Sequence, residues 1–195
     1  MNFLTRDDLL PVEQFQRVRQ QHLAQVLATQ AVRRVSLGPN LTFTFENRVT
    51  MRWQVHEMCR IENLRGDKVD HELATYSALL TQPDSLSATL LVEYEEAAER
   101  DVQLRRLVGL HRHLSLSLGA LRIPARFDDE QFNEERISSV QFVRFPVDAQ
   151  ARAALADLSQ PARLEVDHPA YRATAELTRA TRGALLDDLD ESTPR

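Results

Sequence analysis

Residues 33–46 read RRVSLGPNLTFTFE, and the change of period within them decides the fold class. Val35 and Leu37 alternate with polar neighbours, Gly38-Pro39-Asn40 makes a turn, and Leu41, Phe43 and Phe45 resume the alternation, which predicts a β-hairpin. Thr42, Thr44 and Glu46 then share the opposite face of the second strand, because side chains alternate along a strand. Helices flank the hairpin. Upstream, Thr5 to Asp8 has capping-box spacing, and Val12, Phe15, Val18, Leu23, Val26 and Leu27 recur at helical spacing to about residue 29. Downstream, Asn47 caps a helix to about Leu64, Gly66 breaks it, and Asp67 starts another carrying Val69, Leu73, Tyr76 and Leu80.

Further along, the period of two returns repeatedly. Leu86, Ala88, Leu90, Val92 and Tyr94 predict one strand, and an acidic helix then runs from Glu95 to Val108 with Gly109 as its cap. From Leu110 to Leu118 leucines and an arginine alternate with His111, His113, Ser115 and Ser117. Gly119-Ala120 then turns the chain into Leu121, Ile123, Ala125 and Phe127, a second hairpin with Pro124 on an edge strand. Residues 128–136 form a charged loop, and 137–147 and 163–167 are strands. Residues 171–177 suit strand or helix, and 179–189 suit a terminal helix. Hairpins outnumber strand-helix-strand units. The expected class is therefore α+β, with a mainly antiparallel sheet of about six to seven strands packed against three to five helices. One domain is expected over residues 1–189, followed by a disordered tail over 190–195.

Composition narrows the function classes. Apolar residues make up 43% and charged residues 27%, the balance of a chain that buries a core. A formal charge of -5 argues against a nucleic-acid or anionic-membrane surface, since phosphate binding needs clustered positive charge. No apolar stretch approaches the roughly 18 residues of a membrane span. The acidic start, with Asp7 and Asp8, lacks the pattern of a secretory leader. A lone Cys59 has no cysteine partner, and a cytoplasmic location is expected.

Three clusters carry possible chemistry. Glu46, Gln54, Glu57 and Glu62 crowd the junction of the first hairpin and its following helix, where a small ligand could bind. At 100° per residue, Met51, Val55 and Met58 share that helix's apolar face and Glu62 falls within about 20° of its centre. A carboxylate placed there must be paired, protonated or bound to something. Arg34 and Arg48 are the expected partners. The second cluster is His111-x-His113, two imidazoles about 7 Å apart on one strand face, with Glu93 as a third metal ligand if the strands are neighbours. Two solvent-facing histidines are the plainer reading. The third, His56 with Cys59, begins like a zinc-protease helix but has Arg60 where the second histidine belongs.

Several segments together carry a resemblance: Leu4 to Leu10, Arg33 to Pro39, Phe45 to Arg48 with Thr50, Gln54 to Arg60, Leu86 to Leu90, the strand after Gly109, and Val140 to Phe145. The chain resembles a bacterial family of unknown function across most of residues 4–177. The resemblance implies a genomic setting beside rubrerythrin-like proteins and iron–sulfur oxidoreductases. From it follows the expectation of a non-catalytic accessory protein in a redox, iron–sulfur or peroxide-stress system, with such a protein as partner. The alternative expectation is a metal-binding domain using His111, His113 and Glu93.

Overall fold

In the computed structural model, which describes residues 3–127 and 135–193, hairpins organise the chain as their alternation predicts. The elements, in order, are α1 (Val12–Ala31), β1 (Arg34–Ser36), β2 (Leu41–Phe45), α2 (Arg48–Ile61), α3 (Asp67–Ser77), β3 (Ser85–Val92), α4 (Ala97–Arg106), β4 (Leu114–Leu118), β5 (Leu121–Pro124), β6 (Arg126–Phe127), β7 (Val140–Pro146), α5 (Ala149–Ala156), β8 (Ala162–His168), β9 (Tyr171–Glu176) and α6 (Arg179–Glu191). The class is α+β. Every pairing among the described strands is antiparallel.

The strands form two sheets rather than one of six or seven strands, in the orders β1-β2-β3-β7-β6 and β5-β4-β8-β9. The return strand predicted over residues 121–127 is where the chain changes sheet. Pro124 ends β5 without an N–H to extend its ladder, and β6 begins two residues later beside β7. Residues 171–177 take the strand alternative as β9. The terminal helix continues to Glu191, with Ser192 buried at its end. The acidic residues Asp128, Asp129, Glu130 and Glu134 of the predicted loop lie outside the described residues.

Two hydrophobic clusters hold these layers. The larger gathers Phe43, Phe45, Leu86, Leu90, Val143 and Phe145 from one sheet with Leu114, Leu116, Leu164 and Val166 from the other, closed by leucines of α4, α5 and α6. The smaller lies among α2, α3 and the N-terminal segment, around Leu4, Met51, Val55, Cys59, Leu73 and Leu80. Gly38 ties the first hairpin to the second sheet. Its φ of +76° suits glycine, and a Cβ there would sit 2.5 Å from the Tyr171 hydroxyl. That hydroxyl donates to the Leu37 carbonyl at 2.8 Å and accepts from the Asn40 N–H at 3.1 Å.

The strand-to-helix corner between β2 and α2 positions the candidate site. Asn47 caps α2 as its sequence predicts, accepting the Val49 and Thr50 N–H groups at 3.0 and 3.1 Å. Thr50 reciprocates by accepting the Asn47 N–H at 3.0 Å. This corner fixes Glu46, immediately before the cap, with its backbone N–H donating to the Ser87 carbonyl at 2.8 Å.

Candidate functional site

Alternation along β2 sends Thr42, Thr44 and Glu46 to the face of the five-stranded sheet turned away from the main core. Glu46 is only 6% exposed there. The Thr50 hydroxyl donates to one carboxylate oxygen and the Thr89 hydroxyl to the other, each at 2.6 Å. No basic group lies within ion-pair reach of Glu46 among the described residues. Burial raises the Glu46 pKa above the ordinary carboxylate value, with the two hydroxyls pulling the other way. The carboxyl lines a cavity of about 290 Å³ between the sheet face and the helices. Gln30, Thr44, Gln54, Tyr76 and Thr89 add polar groups to its wall, and Met51, Leu79, Leu91, Val140 and Phe142 make the apolar remainder.

This arrangement contains a buried acceptor with no cation. A wider depression of about 770 Å³ borders the end of β3, but Glu93, Glu95, Glu96 and Glu99 on its rim are all exposed. Solvated carboxylates need no ligand; a buried one without a counter-charge must hold a proton or meet a partner from outside. The smaller cavity is therefore the candidate site.

The sequence profile of the family described as "Protein of unknown function (DUF3501)" matches residues 3–189. The chain belongs to this family. A crystal structure of a protein of unknown function from Burkholderia pseudomallei is 34% identical to the DUF3501 chain, covering 97% of it and 100% of the other chain, with a TM-score of 0.89. No curated protein matches the chain.

Of the four residues expected at the hairpin-helix junction, this DUF3501 chain brings Glu46 and Gln54 to one cavity and sends the other two elsewhere. Glu57 is clamped between Arg19 and Arg60, both at 2.9 Å, on the α1–α2 side. The bond from Arg19 comes first among the causes that hold the Glu57 carboxyl down at about 2. Because that value lies below the ordinary 4.5, its stabilisation is complete above pH 4.5 and is lost as pH falls toward 2.

Glu62 corrects the expectation of a buried pair: it is exposed, and no salt bridge reaches it among the described residues. The buried face of α2 is rotated to Met51, Val55, His56 and Cys59, and the helix ends at Ile61, so helical phase no longer governs Glu62. The expected partners are engaged elsewhere. Arg34 reaches the exposed Glu93 at 3.4 Å, and Arg48 pairs with Asp8 at 2.6 Å.

The His-x-His grouping is also corrected. His111 belongs to a 3-10 turn at Leu110–Arg112 and His113 follows it, so the two do not share a strand face; β4 begins only at Leu114. Glu93 follows β3, in the other sheet, and accepts the Thr42 hydroxyl. No group of three metal-ligating side chains forms among the described residues. His56 is committed to structure. One ring nitrogen lies 2.9 Å from the Arg52 carbonyl and the other accepts the Leu10 N–H at 2.9 Å, while Phe15 stacks at 4.4 Å. That bonding requires the neutral ring, and burial lowers its pKa accordingly. Burial likewise pushes the Cys59 thiol up, away from nucleophilic character. Sequence reading missed Thr50, Thr89 and Tyr76. The first was named only among the segments that carry the resemblance, and the others reach the site through long-range pairing and packing.

Proposed function

We propose that the chain is a non-catalytic small-ligand-binding protein whose recognition group is the Glu46 carboxyl. The observation that supports this reading is the combination of burial, absence of a counter-charge among the described residues and access to a cavity at one residue. A purely structural carboxylate at this depth would gain more from an arginine, as Glu57 does from Arg19. In the redox or iron–sulfur setting that the resemblance implies, such binding would serve an accessory role beside a rubrerythrin-like or iron–sulfur partner.

A thermal-shift screen of small metabolites tests the reading with Leu91→Trp as control, because the larger side chain takes up space in the cavity while the Glu46 residue itself is unchanged. A ligand at 100 times its Kd adds about 2.7 kcal/mol, which raises the melting temperature of a chain this size by roughly 5–10 °C. The expected result is a shift of that size in the native chain and none in Leu91→Trp. No stabilising compound, or shifts that persist in Leu91→Trp, would contradict it.

A further inference from the structure

The ligand class can be narrowed from the chemistry of the wall, an inference that rests on the ligand-binding reading of the same cavity. Thr50 and Thr89 give each Glu46 oxygen one neutral donor, and a carboxylate has about four acceptor positions in all, so acceptor capacity is left over. Among the described residues the wall supplies no ammonium or guanidinium to use it. Around the carboxyl stand the aromatic rings of Tyr76 and Phe142, the thioether of Met51, and the aliphatic side chains of Leu79, Leu91 and Val140. Such a wall separates the possible ligands. An anion would meet the carboxylate with only the neutral donors of Gln30, Thr44, Gln54 and Tyr76 to offset the repulsion, and a neutral alcohol would gain one ordinary hydrogen bond. A cation gains a charge-assisted contact in a site of low dielectric, together with the attraction of aromatic faces for positive charge.

Size restricts the cation further. A space of about 290 Å³ is at the lower limit of small-molecule pockets. At roughly 30 Å³ per water-sized group it holds on the order of ten non-hydrogen atoms. A bare metal ion would leave the apolar wall unused and would find one carboxylate in place of a full ligand set. We infer that the Glu46 cavity takes a small alkylammonium ion, its charged nitrogen against the carboxylate and its alkyl groups against Met51, Leu79, Leu91 and the two rings.

Isothermal titration of the full chain at pH 8 tests this with tetramethylammonium and butylammonium against their neutral counterparts tert-butanol and 1-butanol. Glu46→Gln, checked for folding by circular dichroism and a cooperative melt, is the matched variant. The expected result is that at least one cation binds at least tenfold more tightly than its alcohol and loses at least tenfold in affinity in Glu46→Gln. A smaller preference, a smaller loss in the variant, or binding by neither cation overturns the alkylammonium assignment. If neutral compounds from the thermal screen still stabilise the native chain and fail with Leu91→Trp, the ligand-binding reading stands without the cation. If nothing binds in a Leu91-dependent way, both fall.

Discussion

Replacing Asp188 by alanine is expected to cost about 3–5 kcal/mol of folding free energy, because it strands a buried arginine without its counter-charge. Asp188 on α6 receives both the Nε and the Nη2 of Arg33 at 2.8 Å, and the Asn47 amide donates to it at 3.0 Å. Arg33 also donates to the Thr29 carbonyl at 3.0 Å. One carboxylate thus joins the end of α1, the start of the first hairpin, the cap of α2 and the terminal helix. Urea denaturation of Asp188→Ala measures the loss. The double variant Arg33→Met, Asp188→Leu should recover much of it, since removing both charges leaves no unpaired ion. A loss under about 1 kcal/mol, the range of a surface pair, would show that the pair is solvated.

Arg182→Met is expected to cost a similar amount, about 3–5 kcal/mol, by a different route. Arg182 is buried on α6 and forms no salt bridge among the described residues, Asp157 acting on it only at longer range; its guanidinium instead donates to four backbone carbonyls at and beyond the end of α5. These are Leu155 at 2.8 Å, Gln160 at 2.8 Å, Ala154 at 3.1 Å and Asp157 at 2.6 Å. A helix C-terminus leaves its last carbonyls unsatisfied and carries partial negative charge, so one planar cation answers both demands. Methionine keeps much of the packing volume and removes every donor, at roughly 1–3 kcal/mol for each carbonyl left buried and unpaired, reduced where water can reach it. Arg182→Lys should recover only part, because a compact ammonium cannot span four acceptors as the fork does. Chemical denaturation showing both variants within 1 kcal/mol of the native chain would contradict this role.

These two anchors mark where sequence reading stopped. Local pattern was enough for the hairpin at residues 33–46, for the Asn47 cap, and for the strand carrying Leu86 to Val92. In each, the period or the capping residue acts within a few positions of itself. It was also enough to put Glu46 on the outer face of β2 with Thr42 and Thr44. The buried arginine of the hairpin is Arg33, whereas Arg34, one residue on, is exposed. A one-residue difference at the start of a strand reverses the facing, and only the register Arg34↔Thr44 settles it. The alternation through His111 and His113 imitated a strand because β4 begins immediately after it, while the left-handed Gly109 starts a 3-10 turn instead. The alanine-rich α5 left no periodic stripe to read, although Asp148 caps it by accepting the Ala151 N–H at 2.8 Å. Thr89 reaches Glu46 only through the pairing of β2 with β3, a contact across 43 residues with no local trace.

Glu46 is a buried carboxyl whose charge no basic group compensates among the described residues. Its consequence for stability has a definite sign. Burial raises the folded-state pKa above the ordinary value of 4.5, so as pH rises from there to the folded value the unfolded chain loses its proton first. Folding stability from this group therefore falls as pH rises through that window, and Glu46→Gln removes the fall. Tyr76, the other ionisable group on the cavity wall, has its phenol pushed up by burial and stays neutral over this range. Carbon-13 NMR of the Glu46 side-chain carboxyl, followed from pH 3 to pH 9 in the ligand-free protein, measures the ionisation directly. The structure predicts a midpoint clearly above 4.5, and a midpoint at or below 4.5 would contradict it.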